Sequence, residues 1–166
     1  MNALINYIST FPPEIAAALL AILPLTELRA ALPIAITVFG MEPGAAYAWT
    51  VLGNLVPIIL VFWLLPPTLA WARKQSPWLK HVLDDYFAKL ERKHHDRFQR
   101  YGALALFFFV AIPLPGSGVW TGSVLAILFG LEQKRALSAI VGGLLVAGII
   151  VLLIIQGVLG ALSFLL

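Results

Sequence analysis

Apolar positions along this chain gather into four long runs, at about 12–39, 45–66, 102–130 and 136–166. Runs of that length and composition predict helices that cross a membrane or lie fully buried. Between the second and third runs, the polar stretch 73–101 keeps a different rhythm. Apolar residues return there at Leu79, Val82, Leu83, Tyr86, Phe87, Leu90, Phe98 and Tyr101, with charged residues between them. That spacing predicts an amphipathic helix at the membrane surface or against a partner helix. His94 and His95 are adjacent, so they point to different faces of such a helix, and solvated or headgroup-facing roles suit them better than a shared metal.

Two of the apolar runs are interrupted in the same manner. The first passes through PLTELRAALP (24–33) and the third through PLPGSGVWTG (113–122). Setting each residue against the one ninety positions later matches Phe39 with Phe129, Gly40 with Gly130 and Glu42 with Glu132. It also matches Ala46 with Ala136, Val51 with Val141 and Gly53 with Gly143. With a one-residue shift, ILPL (22–25) falls on AIPL (111–114). Each half reads as an apolar run reaching a proline, an irregular patch, a Gly-apolar-Glu joint and an uninterrupted apolar helix. The pattern predicts a duplicated unit, with 12–66 as the first repeat, 73–101 as a linker and 102–166 as the second, in a single domain 1–166.

Composition narrows the class. Of the 166 residues 61% are hydrophobic and only 11% charged, against roughly 25% charged in a soluble domain. The chain is expected to be an all-α integral membrane protein. No cysteine is present, which excludes disulfides, thiolate metal sites and cysteine nucleophiles. No other nucleophile-base pair or ligand cluster stands out, so the expectation is neither an enzyme nor a cofactor or metal carrier. No Lys or Arg precedes the first apolar run, which argues against a secretory signal. Eight of the eleven Lys and Arg residues fall in 73–101, a concentration that argues against nucleic-acid binding.

Charge also bears on topology. If 12–39 and 102–130 both crossed the bilayer, a cytoplasmic 73–101 would leave Lys134 and Arg135 outside, against the positive-inside tendency. If both are re-entrant hairpins, 45–66 crosses inward, and 73–101 and Lys134-Arg135 share the cytoplasmic side. The expected fold is therefore an inverted repeat in a multi-pass inner-membrane protein. Each half would be a re-entrant helical hairpin followed by a transmembrane helix, with the amphipathic cytoplasmic helix between the halves. Such broken, inverted repeats are a common plan among secondary transporters. Two full spans enclose little space, so a homodimer is expected.

The broken patches hold the candidate chemistry. Glu27 and Arg29 are two apart, so on one helix they make a poor mutual pair. A charge at membrane depth costs at least about 2.5–3.5 kcal/mol, so each is expected to face a cavity or a partner elsewhere. They serve a ligand, tie the hairpin tip to neighbouring backbone, or lie near the interface and snorkel to it. In the second patch, Pro113 and Pro115 stop an incoming helix, and Gly116 and Gly118 permit tight backbone. Ser117 and Thr121 supply hydroxyls, and Trp120 an indole N–H. A half-helix starting near Ser117 would aim free N–H groups and its positive dipole end inward, which suits an anion. The same glycines also suit a turn that lets helices pack closely. Pro33 flanks the first patch, and Asn54 places an amide in the second apolar run, as cavity lining or as interhelical glue.

ELRAALPIAI (27–36), LGN (52–54) and IPLPGSGVWTG (112–122) together resemble the signature blocks of the small multidrug export protein family. That family's pattern is similar to E-L-R-G-A/G-I-P, then G-N, then P-L-P-G-T-G-A-W-T-G. Here Ala30-Ala31 stands at the small pair, Ser117 at the usual Thr and Val119 at the usual Ala. In plan the chain is also similar to the DedA/VTT superfamily of paired hairpins. That resemblance implies transport or flipping of an amphiphilic anion, a polyprenyl-phosphate or phospholipid headgroup. On it, Arg29 and the 116–118 amides bind the anion, Glu27 couples protons, and 73–101 gathers membrane lipids. The alternative expectation is a proton-coupled exporter of small drugs using Glu27, and a further one is a non-transporting membrane scaffold.

Overall fold

The computed structural model describes residues 11–75, 81, 95–114 and 116–165. The amphipathic helix expected over 73–101, with the directions of His94 and His95, lies mostly outside those residues, as does Pro115. Among the described residues the regular elements are helices: α1 (Pro13–Ile22), α2 (Glu27–Thr37), α3 (Pro43–Gln75), α4 (His95–Ala111), α5 (Val119–Leu128) and α6 (Gln133–Leu165). Two shorter helices precede a long one, twice.

Length separates the two kinds. At 1.5 Å per residue, the ten or eleven residues of α1, α2 and α5 make about 15 Å, half of a hydrocarbon core of roughly 30 Å. The apolar part of α4 is the similarly short Tyr101–Ala111. Among the described residues two helices are long and apolar enough to cross: Pro43–Trp71 in α3, with 29 residues, and Gln133–Val158 in α6, with 26. Their outer faces expose Ile59, Trp63, Trp71, Leu153 and Ile154. So much exposed apolar surface belongs in lipid and not in water.

The long helices differ from their sequence-based bounds. The apolar run was expected to end at 66, yet α3 continues through Pro66 and Pro67 to Gln75. Proline forfeits only its own N–H and crowds one upstream carbonyl, and here the helix absorbs both losses without ending. Pro33 likewise sits inside α2, four residues before Thr37, whose hydroxyl donates to the Pro33 carbonyl at 2.8 Å.

The sequence matches between halves fall at equivalent places. Gly40 (φ +65°) and Gly130 (φ +62°) reverse the chain after α2 and α5, in a backbone region that disfavours side chains. Ala46 and Ala136 are fully buried in the first turns of α3 and α6, their N–H groups donating to the Glu42 and Glu132 carbonyls at 2.9 Å. The Glu42 carboxylate accepts from Ala45 N–H at 2.9 Å. The Gly44 and Ala45 amides hold its carboxyl below the usual range. Glu132 pairs instead with Arg135 at 3.0 Å.

Packing follows the same logic. The first short helix of each half lies along its own long helix, α1 on α3 and α4 on α6. The second short helices, α2 and α5, each touch both long helices. Leu28, Leu32, Val110, Val119, Ile140 and Leu144 meet in the shared core, and Tyr47 of α3 donates to the Leu145 carbonyl of α6 at 3.1 Å. Gly53 and Gly143 lie where a long helix passes close to the backbone of a short one. A methyl at Gly53 would lie 2.9 Å from Ala18 Cα, and one at Gly143 would lie 2.7 Å from the Phe107 carbonyl oxygen. Small residues at helix crossings are the main means by which membrane helices gain contact area.

Gly53→Ala and Gly143→Ala are each expected to destabilise the protein by about 1–3 kcal/mol, the usual cost of overpacking. Thermal unfolding in detergent micelles measures this. Gly157→Ala is the control, because nothing surrounds that position within 4 Å, and it should leave the transition unchanged or raise it. Equal losses at all three positions would contradict the packing role.

Candidate functional site

The irregular links between paired short helices, 23–26 and 112–118, come together, and each completes the other's backbone. In the first link, Glu27 N–H donates to the Leu23 carbonyl and Ala30 N–H to the Thr26 carbonyl, both at 2.9 Å. The Thr26 hydroxyl donates to the Leu20 carbonyl at the end of α1. In the second link, Gly116 adopts φ +81°, and Ser117 Oγ lies 2.9 Å and 3.0 Å from the Ile112 and Leu114 carbonyl oxygens. Local bonds alone leave helix ends unsatisfied.

Three side chains crossing between the links satisfy those ends. The Arg29 guanidinium donates to the Leu114 carbonyl and, through its other terminal nitrogen, approaches the Val110 and Ile112 carbonyls at 3.4 Å. It therefore caps the C-terminal end of α4, where the helix dipole is negative. Trp120 Nε1 donates to the Ile22 carbonyl at 2.9 Å, closing the C-terminal end of α1. Glu27 extends to the start of α5, where its Oε1 accepts a long bond of 3.5 Å from the Trp120 N–H. A carboxylate at a helix N-terminus meets the positive end of the dipole.

This arrangement is tight. Glu27 holds φ +41°, the one positive value among the described non-glycine residues. Such a conformation costs on the order of 1–3 kcal/mol and persists only where its surroundings fix it. Gly118, the residue preceding α5, lies directly under the carboxylate, and a Cβ there would overlap both Glu27 oxygens. The glycine is required by the Glu27 side chain, since its own backbone, at φ −83° and ψ −170°, suits any residue.

Beside these contacts opens a cleft of about 360 Å³, with Glu27, Arg29, Pro113, Gly116, Trp120 and Thr121 among its walls. Most of the residues singled out in the sequence thus meet at one place. Others do not. Pro33 stays inside α2, Ser117 is buried in its own turn, and Asn54 lines a separate small cavity that it shares with Glu27 and Gly118. Thr26 was not singled out, although it caps α1 and lines the cleft. Its place between Pro24 and Glu27 was the available signal. The anion reading assigned Arg29 and the 116–118 amides to a ligand. In the structure Arg29 is committed to three carbonyls, and the start of α5 faces the chain's own carboxylate.

The two interrupted helix pairs thus meet at one cleft that holds Glu27 and Arg29. The sequence matches the family described as "Putative small multi-drug export protein" over residues 27–150, a stretch that opens at Glu27, directly after the first link, and takes in the second. The chain belongs to that small multidrug export family. No curated protein and no solved structure matches it significantly.

Gly118→Ala is expected to destabilise the protein by about 1–3 kcal/mol through the clash with Glu27. In a Glu27→Ala background most of that loss should vanish, because the colliding atoms are gone. Thermal unfolding of the two single variants and the double variant checks the coupling. Additive losses would mean that the Glu27 carboxylate is not what Gly118 makes room for.

Proposed function

We propose that this protein exports small lipophilic cations across the cytoplasmic membrane in exchange for protons, with Glu27 as the group that takes either one. The observation that carries this reading is the Glu27 carboxylate at the start of α5, on the wall of the cleft. Proton and cation compete for one carboxylate, so binding one releases the other, which is the minimum requirement of exchange. Trp120 adds an aromatic face suited to a cationic, apolar body, and Pro24, Leu25 and Pro113 line the cleft with apolar surface. The family description, small multi-drug export, supports drug-sized molecules as the class of substrate. The reading as a polyprenyl-phosphate or phospholipid flippase needs Arg29 to leave the carbonyls it caps, at the cost of unpaired acceptors.

For the fold in the membrane, the short helices support re-entrant hairpins α1–α2 and α4–α5, entering from opposite faces as an inverted repeat. Non-helical backbone at membrane depth must be satisfied by protein, and the links' mutual capping supplies such partners. The basic segment 73–101 and Lys134-Arg135 would then lie together in the cytoplasm, and a second copy would complete the enclosure as a homodimer.

In proteoliposomes, Glu27→Gln should abolish proton-driven movement of ethidium, a cationic dye. Labelled polyprenyl phosphate should not move in either the wild type or the variant. Lipid movement without dye movement would replace export by flipping, and neither movement would point to a scaffold.

Single cysteines at positions 42 and 134, in a chain that has no cysteine of its own, should label with an impermeant maleimide from opposite sides. Labelling of both from the same side would restore four plain spans.

A further inference from the structure

A second, much smaller space adjoins Glu27. Its volume is about 10 Å³, and its walls come from α2, α3, α4, α5 and α6, with Glu27, Asn54, Val110, Gly118 and Leu144 among them. Asn54 is 1% exposed. Its side-chain nitrogen donates back to the Thr50 carbonyl at 3.1 Å, while Oδ1 is buried without a partner. A buried acceptor left unpaired is costly, and a native structure rarely tolerates one. The space has room for about one water centre, the minimum for an internal water.

We propose that this cavity holds a single ordered water that donates one hydrogen bond to Asn54 Oδ1 and one to the Glu27 carboxylate, making Asn54 a positioning residue for the proton-exchanging group. A water's two O–H bonds match the two acceptors. The Asn54 amide oxygen and the Glu27 carboxylate, in a lining whose only other polar side chain is the cationic Arg29, suit water better than a hard cation, which takes six or more oxygens. The bridge works in both states of Glu27, since a protonated carboxyl donates to the water while the water continues to donate to Asn54. Arg29 on α2 is the other charged group in the lining of either space, and α3, α4, α5 and α6 bring no ionisable side chain to them. Loss of the water removes a donor from the charged carboxylate and so favours its protonated form.

The test is an infrared titration of the full chain in liposomes, following the carboxyl band that Glu27→Gln removes. Asn54→Leu fills the cavity and should move the Glu27 midpoint upward by about one pH unit, the size of one hydrogen bond to a charged group. Asn54→Ala enlarges the cavity, keeps water beside Glu27 and should leave the midpoint near that of the wild type. An unchanged midpoint in Asn54→Leu, or equal shifts in both variants, would overturn the proposal. If Asn54→Leu does not fold, the shorter Asn54→Val carries the same comparison. A diffraction map that resolves ordered water and shows this cavity empty would also overturn it. The inference rests on reading Glu27 as the proton-exchanging group, but the titration needs no substrate. A wild type that titrates yet moves no dye would remove the export reading and leave the water bridge standing.

Discussion

Every helix end placed among apolar surroundings must find hydrogen-bond partners, and the structure of this protein turns on that demand. A break in a helix leaves up to four N–H and four carbonyl groups on its two sides without intrahelical partners, and lipid offers none. Here the two breaks serve one another. Arg29, beyond the first break, caps the helix that ends at the second. Trp120, beyond the second, caps the helix that ends at the first. Glu27 faces the helix that restarts after the second break. The exchange is reciprocal, so neither link is a complete structure without the other.

This reciprocity constrains what the charges can do. A carboxylate already seated at a helix N-terminus is held in place by the dipole and an amide, and it occupies the position an external anion would take. A proton or a cation can join such a group without displacing it. An incoming phosphate would have to compete with it. The positive φ at Glu27 and the bare Cα of Gly118 show how closely backbone and side chain have been fitted around that one carboxylate.

Much of the layout was legible in sequence because it is local. Prolines and glycines mark where α1 and α4 end, and the matched glycines at 40 and 130 and at 53 and 143 occupy equivalent turns and helix crossings. Glu27 and Arg29 were legible as charges in need of partners, though not the identity of those partners. The carbonyls of Val110, Ile112 and Leu114 lie more than eighty residues from Arg29, and main-chain acceptors carry no sequence signature. The second apolar run, bounded at 66, also stopped short of α3, which continues through Pro66 and Pro67. Proline removes a single donor, and tertiary packing can carry a helix through the gap, as α2 and α3 do.

The bond from Trp120 to Ile22 has a temporal consequence. A ribosome adding about 5–20 residues per second completes the first link several seconds before Trp120 is made. During that interval the end of α1 has no indole to receive, Glu27 has no helix start to face and Arg29 has no carbonyls to cap. Until its sequel is made, the first half is therefore an unfinished piece. Synthesis of the two halves in one chain keeps that waiting time short and guarantees the right sequel.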